Sequence, residues 1–259
     1  MTLTVARSRL LPASPSVHRA RARGVRRAQN VSVERAGITA RQVSGEGEEL
    51  VRRLRRCAEV TSESFGRSRS DAPAVLDALV RKVRHSGPSF ALVEAVEGDT
   101  EVVCGCADVT TLPASGSRAS REPLVARVPQ ALGLTESGAF AYVSGMCVLP
   151  SYRKRGAGRA LLEACEACAR RMTPRPSAVA LHVESDNEGA IALYESCGYV
   201  RVIEREVDDA FGRMSRALGG LVGGGGKKRI LMTRDLPHDE AVANEADAWI
   251  GAHRERIDG

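Results

Sequence analysis

Apolar positions change their spacing along the chain, and each change marks an element. Residues 38–43 read as a first strand, and Leu50, Leu54, Cys57 and Ala58 recur at helical spacing within 46–60. Val75, Leu76, Leu79, Val80 and Val83 give a second helix over 71–83, with Pro73 suited to its first turn. The polar stretch 61–66 reads as the linker between them. Residues 89–96 and 101–110 predict two strands joined by the turn Glu97-Gly98-Asp99-Thr100. No period survives in 111–137, which holds Pro113, Gly116, Pro123, Pro129 and Gly133, so an inserted surface loop is expected. Val143, Met146, Cys147, Val148 and Leu149 form a buried strand that Pro150 stops. Leu161, Cys165, Cys168 and Met172 then make one apolar helix face, with Glu163, Glu166 and Arg170 on the other. Residues 178–184 are the next strand, parallel to the previous one if the crossover is right-handed. Ser185-x-x-Glu188 reads as a capping box opening a helix over 187–197, which Gly198 closes. Strands over 199–207 and 228–236 flank a second insertion, 208–227, with four consecutive glycines. The last residues, 238–259, read as a polar tail.

Charge divides the chain unevenly. Of a formal +6, seven arginines lie within residues 1–33, which contain no acid; without them the remainder carries −1. That segment is also rich in Ser and Ala, the composition of an organelle transit peptide. A basic arm for nucleic acid is the rival, but no aromatic residue is present to stack on bases. We therefore expect a leader at 1–33, a domain over 34–237 and no nucleic-acid partner. No stretch approaches the ~20 apolar residues of a membrane span. Seven cysteines, an odd number, show no disulfide framework. Cys165 and Cys168 fall on the apolar helix face and read as core, with no second pair to complete a metal site.

The chemistry concentrates between the strand ending near Pro150 and the helix that follows. A helix N-terminus presents unpaired N–H groups and a partial positive charge. Gly156 and Gly158 let a ligand approach them, and Arg153, Lys154, Arg155 and Arg159 add full charges. A phosphate, or two linked phosphates, fits there. The loop lacks the Gly-Lys-Ser/Thr of a Walker motif, and Leu161 stands where the dinucleotide fingerprint needs its third glycine. It does fit Arg/Gln-x-x-Gly-x-Gly/Ala through Arg153, Gly156 and Gly158. In this setting the chain resembles the GNAT superfamily of acetyl-CoA-dependent N-acetyltransferases, whose loop at this point (153–159, including Ala157) holds the coenzyme A pyrophosphate.

A second block strengthens the resemblance: Asn187, Ala190, Leu193, Tyr194, Gly198 and Tyr199 follow Asn-x-x-Ala-x-x-Leu-Tyr…Gly-Phe/Tyr. The small residue at 190 lets a pantetheine arm pass, and the Asn187 amide can bond the arm's own amides. The resemblance implies that Tyr194 protonates or hydrogen-bonds the departing thiolate. It also implies that backbone N–H groups of Met146, Cys147 and Val148 serve the acetyl and pantetheine groups, with Gly145 permitting a bulge that frees them. Cys147 as a covalent nucleophile is disfavoured, having no activating neighbour in sequence. Protein-acetylating members place a glutamate base on the strand before the asparagine. Here His182 stands five residues before Asn187, with Glu184 on the same face and water as a further base.

The resemblance implies an α/β GNAT fold: a mixed, mostly antiparallel, splayed sheet flanked by helices. It implies an acetyl-CoA-dependent enzyme with no metal. The acceptor is expected to be a protein N-terminal α-amine, a lysine side chain, or both, as in plant and algal plastid relatives; hence a plastid location, with the mitochondrion as alternative. The acceptor groove is expected near 59–70 and 207–227, where Glu63, Asp208 and Asp209 can attract a cation. A small-amine acetyltransferase (polyamine, arylalkylamine or amino acid) and a non-catalytic acyl-CoA-binding module are the alternatives.

Overall fold

A strand buried on both faces needs apolar residues at nearly every position, and Phe90–Glu97 (β3) has them: all but its last residue is buried. Around it the computed structural model, which describes residues 31–117, 125–206 and 228–237, builds an eight-stranded sheet. The other strands are Ser32–Arg35 (β1), Ile38–Gln42 (β2), Val102–Pro113 (β4), Ala139–Val148 (β5), Ala178–Glu184 (β6), Val200–Glu206 (β7) and Lys228–Asp235 (β8). Their order is β1-β2-β3-β4-β5-β6-β8-β7. Among the described residues only β5 and β6 run parallel. The helices are Gly47–Ser64 (α1), Ala72–His85 (α2), the short Ala114–Ser117 (α3) and Val128–Ala131 (α4), then Ala157–Ala169 (α5) and Glu188–Ser196 (α6).

Alternation along β3 assigns the two faces. Ala91, Val93 and Ala95 join Leu161, Leu162 and Cys165 of α5 in one core. Phe90, Leu92 and Val96 join Leu54 and Cys57 of α1 and Leu79 of α2 in another. This is the mixed, mostly antiparallel, helix-flanked sheet that the resemblance implies.

Two local breaks in the ladder create the site. First, β5 and β6 pair only at Ala141–Val179, Tyr142–Ala180 and Val143–Leu181; beyond these residues the strands run on unpaired, which is the splay. Second, β4 pairs Cys106 with Cys147 and Asp108 with Ser144, so Gly145 and Met146 together oppose Ala107. That is a β-bulge, and Gly145 takes φ 61 in it, a left-handed conformation that costs glycine nothing.

Several expectations are corrected. Residues 111–137 are not merely a surface loop: β4 continues to Pro113, and Val125 and Val128 are buried over Phe140, Ala180 and Leu231. That part of the sheet is apolar and needs a cover. Helix α1 absorbs most of the expected linker, since Thr61 satisfies its hydroxyl on Cys57 O at 2.7 Å and Ser62 is buried. Strand β1 begins at Ser32, after a buried Val31, and so takes up the last residues assigned to the leader. Glu166 is buried, not on a solvated face, where it accepts from Arg234 Nη1 at 3.0 Å and Tyr199 Oη at 3.1 Å. Asn187, not Ser185, caps α6. The rest of the leader, residues 118–124, the 208–227 insertion with Asp208 and Asp209, and the 238–259 tail lie outside the described residues.

Candidate active site

The α5 N-terminus is built by glycine. Gly156 is the N-cap with φ 87, and no side chain among the described residues caps the helix. The N–H groups of its first turn are therefore left for a ligand. At Gly158 a Cβ would stand 2.8 Å from Leu193 Cδ2. Glycine there lets α6 close onto α5, which brings Asn187, Ala190 and Tyr194 beside the basic loop.

These parts enclose a cleft of about 670 Å³. Met146, Cys147 and Val148 form its wall at the splay; Arg153, Lys154, Gly156, Gly158 and Arg159 line the helix start; Asn187, Ala190 and Tyr194 form the α6 wall. Arg153 Nε is steadied by Val148 O at 3.2 Å, and Arg159 Nη2 by Ser196 Oγ at 2.7 Å. Two expected members are displaced. The Arg155 guanidinium turns away to Glu97 Oε1 at 2.6 Å and lies over the Tyr152 ring, stapling the loop to the end of β3. The Arg155 guanidinium, with help from Tyr152, holds the Glu97 carboxyl below the usual carboxylate range. The Ala157 side chain is buried in the core, so only its backbone is available to a ligand.

Asn187 Oδ1 accepts from Ala190 N at 3.2 Å, so the helix occupies the oxygen and the amide N–H groups remain for a ligand. Tyr194 is buried, with Oη 3.6 Å from Met146 Sδ. Burial pushes its phenol up to about 12, so it stays protonated and keeps its O–H to donate near neutrality. Cys147 Sγ lies 3.5 Å from Cys106 Sγ, and that neighbour together with burial pushes its thiol far up, which suits packing and not nucleophilic attack.

His182 is not in this cleft. Alternation puts it on the opposite face of the sheet with Ala180, and its Nδ1 meets Tyr142 Oη at 2.7 Å. Burial, aided by the charge of Arg229, lowers the imidazole to about 4, and Nε2 is buried with no hydrogen-bond partner among the described residues. Tyr142 is the residue that sequence reading missed; its link to His182 depends on the β5–β6 register, which no local motif signals. Glu184 sits opposite Arg229 in the ladder, and Glu63 is exposed on α1.

On that same face a second pocket, of about 810 Å³, opens between α2 and the sheet. Its floor holds Asp108, which accepts from Lys82 Nζ at 2.8 Å and from Ser144 Oγ. Gly145 lines this second pocket while Met146, the next residue, lines the first. The two pockets therefore adjoin at the bulge; the first runs through the splay and is also lined by Ser64 and Phe65 at the end of α1. Among the described residues, no three His, Cys, Asp or Glu side chains converge to hold a metal, and no helix is long and apolar enough to cross a membrane.

Comparison with known proteins agrees with this architecture. No curated protein sequence matches the chain. Among solved structures, Arabidopsis thaliana NAA60 in complex with a bisubstrate analogue superposes with a TM-score of 0.52 at 20% identity, over 77% of this chain and 99% of that one. The yncA protein of Salmonella typhimurium with its cofactor acetyl-CoA gives 0.50 at 16%, over 78% and 96%. A chimera of spermidine N-acetyltransferase SpeG from Vibrio cholerae and hSSAT gives 0.50 at 12%, over 77% and 96%. At such identities these likenesses establish the fold. The sequence model of the acetyltransferase (GNAT) family matches residues 51–199, more than half of the chain, from within α1 through the basic loop and past the end of α6. On that match, and on the splayed sheet it spans, the chain belongs to the GNAT family of acetyltransferases.

Proposed function

We propose that this acetyltransferase moves the acetyl group of acetyl-CoA directly onto the N-terminal α-amine of a protein or peptide. The observation that carries the reading is the meeting of two pockets at the Gly145 bulge. The cleft in the splay has the basic helix start and the groove that a diphosphate and pantetheine arm require. The pocket under α2 gives an amine its own approach to the same point. A thioester placed between them has the N–H groups of the bulged strand beside its carbonyl oxygen, where charge develops during attack.

As the carbon–sulfur bond breaks, Tyr194 Oη donates to the leaving sulfur. A thiol of ordinary pKa, about 8.5, is a far stronger acid than a phenol pushed up to about 12, so the tyrosine stabilises the thiolate by hydrogen bonding without surrendering its proton. This refines the general-acid role that the family resemblance implies. On the acceptor side His182 is taken up by Tyr142 and lines neither pocket, which leaves water in the pocket to accept the amine proton. An imidazole lowered to about 4 is in any case a weak base, and a site without a strong base supports an α-amine over lysine. At pH 7.5 roughly a third of α-amines are already neutral, against about one lysine in a thousand. The amine that needs least help fits a site with little help to offer.

The leader composition supports import into an organelle, the plastid or the mitochondrion. The test of the acceptor is to offer acetyl-CoA with a lysine-containing peptide whose N-terminus is free, the same peptide with a blocked N-terminus, and spermidine. We expect acetyl on the α-nitrogen of the free peptide. Acetyl transfer confined to spermidine or to lysine would overturn the proposal.

A further inference from the structure

The acceptor pocket holds an ion pair at its inner end that the reaction does not require. Asp108 is 4% exposed, and both carboxylate oxygens are occupied: Lys82 Nζ lies 3.0 Å from Oδ1 and 2.8 Å from Oδ2, and Ser144 Oγ donates to Oδ1. The Lys82 side chain is still 43% exposed, so it is the part of the pair that a ligand meets. Val75, Leu79 and Leu92 wall the pocket around it. The network lies next to the reacting centre. Ser144 follows Tyr142 by two residues on β5 and shares its face. A Cβ on Gly145 would stand 3.2 Å from Asp108 Oδ2, so the carboxylate rests against the bulge itself.

We infer that Lys82, Asp108 and Ser144 form the subsite for the first side chain of the acceptor and select serine or threonine there over a large apolar residue. The inference rests on the α-amine reading above. An amine that reaches the bulge from this side must carry its own side chain past the ion pair. A methionine or leucine side chain would strip water from the Lys82 ammonium and give back no hydrogen bond, leaving the charge under-solvated. A small hydroxyl can accept from Lys82 and replace that water. A lysine or arginine side chain would meet Lys82 and Arg67, of its own sign, and Asp71 and Asp108, of the opposite sign, so the pocket gives it no net attraction.

The experiment compares two peptides that differ only in their first residue, serine or methionine, with the full chain and saturating acetyl-CoA. We expect kcat/KM for the serine peptide to be higher by about tenfold or more. Lys82→Arg, which keeps a donor, should keep the preference. The double change Lys82→Met with Asp108→Leu, which replaces the pair by apolar side chains, should reverse it. Equal or better use of the methionine peptide by the unmodified chain overturns the subsite while leaving the α-amine reading in place. Acetylation of spermidine with neither peptide used overturns both. If the double variant does not fold, the ratio in the unmodified chain and in Lys82→Arg decides.

Discussion

Replacing Gly145 by alanine tests whether the bulge serves the reaction or only the fold. Gly145 sits at φ 61, where a residue with a Cβ pays about 1–2 kcal/mol. The new methyl would also stand 3.2 Å from Asp108 Oδ2, so the carboxylate must give way by a few tenths of an ångström against Lys82 and Ser144. The strand cannot escape by flattening. Removing the bulge shifts the register by one residue and turns Met146 and Cys147 to each other's faces, which would pull Cys147 out of the core that it shares with Cys106. The bulge therefore stays and stores strain. A total of about 2 kcal/mol predicts a melting temperature lower by roughly 4–8 °C for a domain of this size. Tilting one strand N–H away from the developing oxyanion predicts a kcat lower by roughly 10²-fold. The diphosphate is held elsewhere, at the α5 start, so calorimetric affinity for coenzyme A should change less than about threefold. A Gly145→Ala enzyme with unchanged kcat would refute this reasoning. So would a kcat that falls only in proportion to coenzyme affinity.

Three other outcomes follow from the same geometry. Tyr194→Phe should lower kcat about 10- to 100-fold, the worth of a hydrogen bond to a charged group, with coenzyme affinity retained; unchanged turnover would remove Tyr194 from the reaction. Arg159→Ala should weaken coenzyme A binding about tenfold, whereas Arg155→Ala, whose guanidinium is committed to Glu97, should leave it within about twofold, both read by calorimetry. His182 has its folded-state pKa lowered from 6.5 to about 4, so its contribution to stability is fully present above pH 6.5 and is lost as pH falls towards 4; denaturation midpoints over that window should lose about 2–3 kcal/mol that His182→Gln does not lose.

The parts of this molecule that sequence reveals are those whose physics is local. The run from Val143 to Val148, the stop at Pro150, the glycine turn and the spacing of Leu161, Cys165 and Cys168 each act within a few residues, and they fold as the pattern predicts. The bulge was foreseeable because only glycine takes its backbone angle without cost. What stayed hidden depends on partners distant in the chain. Glu166 looks solvent-facing until Tyr199 and Arg234 arrive beside it. Arg155 looks like a phosphate ligand until Glu97 claims it. Asn187 carries the motif for a pantetheine contact, yet its oxygen is consumed in capping α6. The pairs Tyr142–His182 and Lys82–Asp108 join residues on separate elements, so neither leaves a spacing to read.

The account depends above all on the backbone N–H groups at the start of α5 holding a diphosphate. Calorimetric titration of the full chain with acetyl-CoA and with S-acetylpantetheine, which shares the thioester and arm but lacks the diphosphate and the adenosine 3′-phosphate joined to it, tests this, with adenosine 3′-phosphate titrated as the control for that end. We predict that S-acetylpantetheine binds about 10²-fold more weakly than acetyl-CoA and that the difference shrinks as salt is raised. Equal affinities for the two, or no association with either, would contradict it.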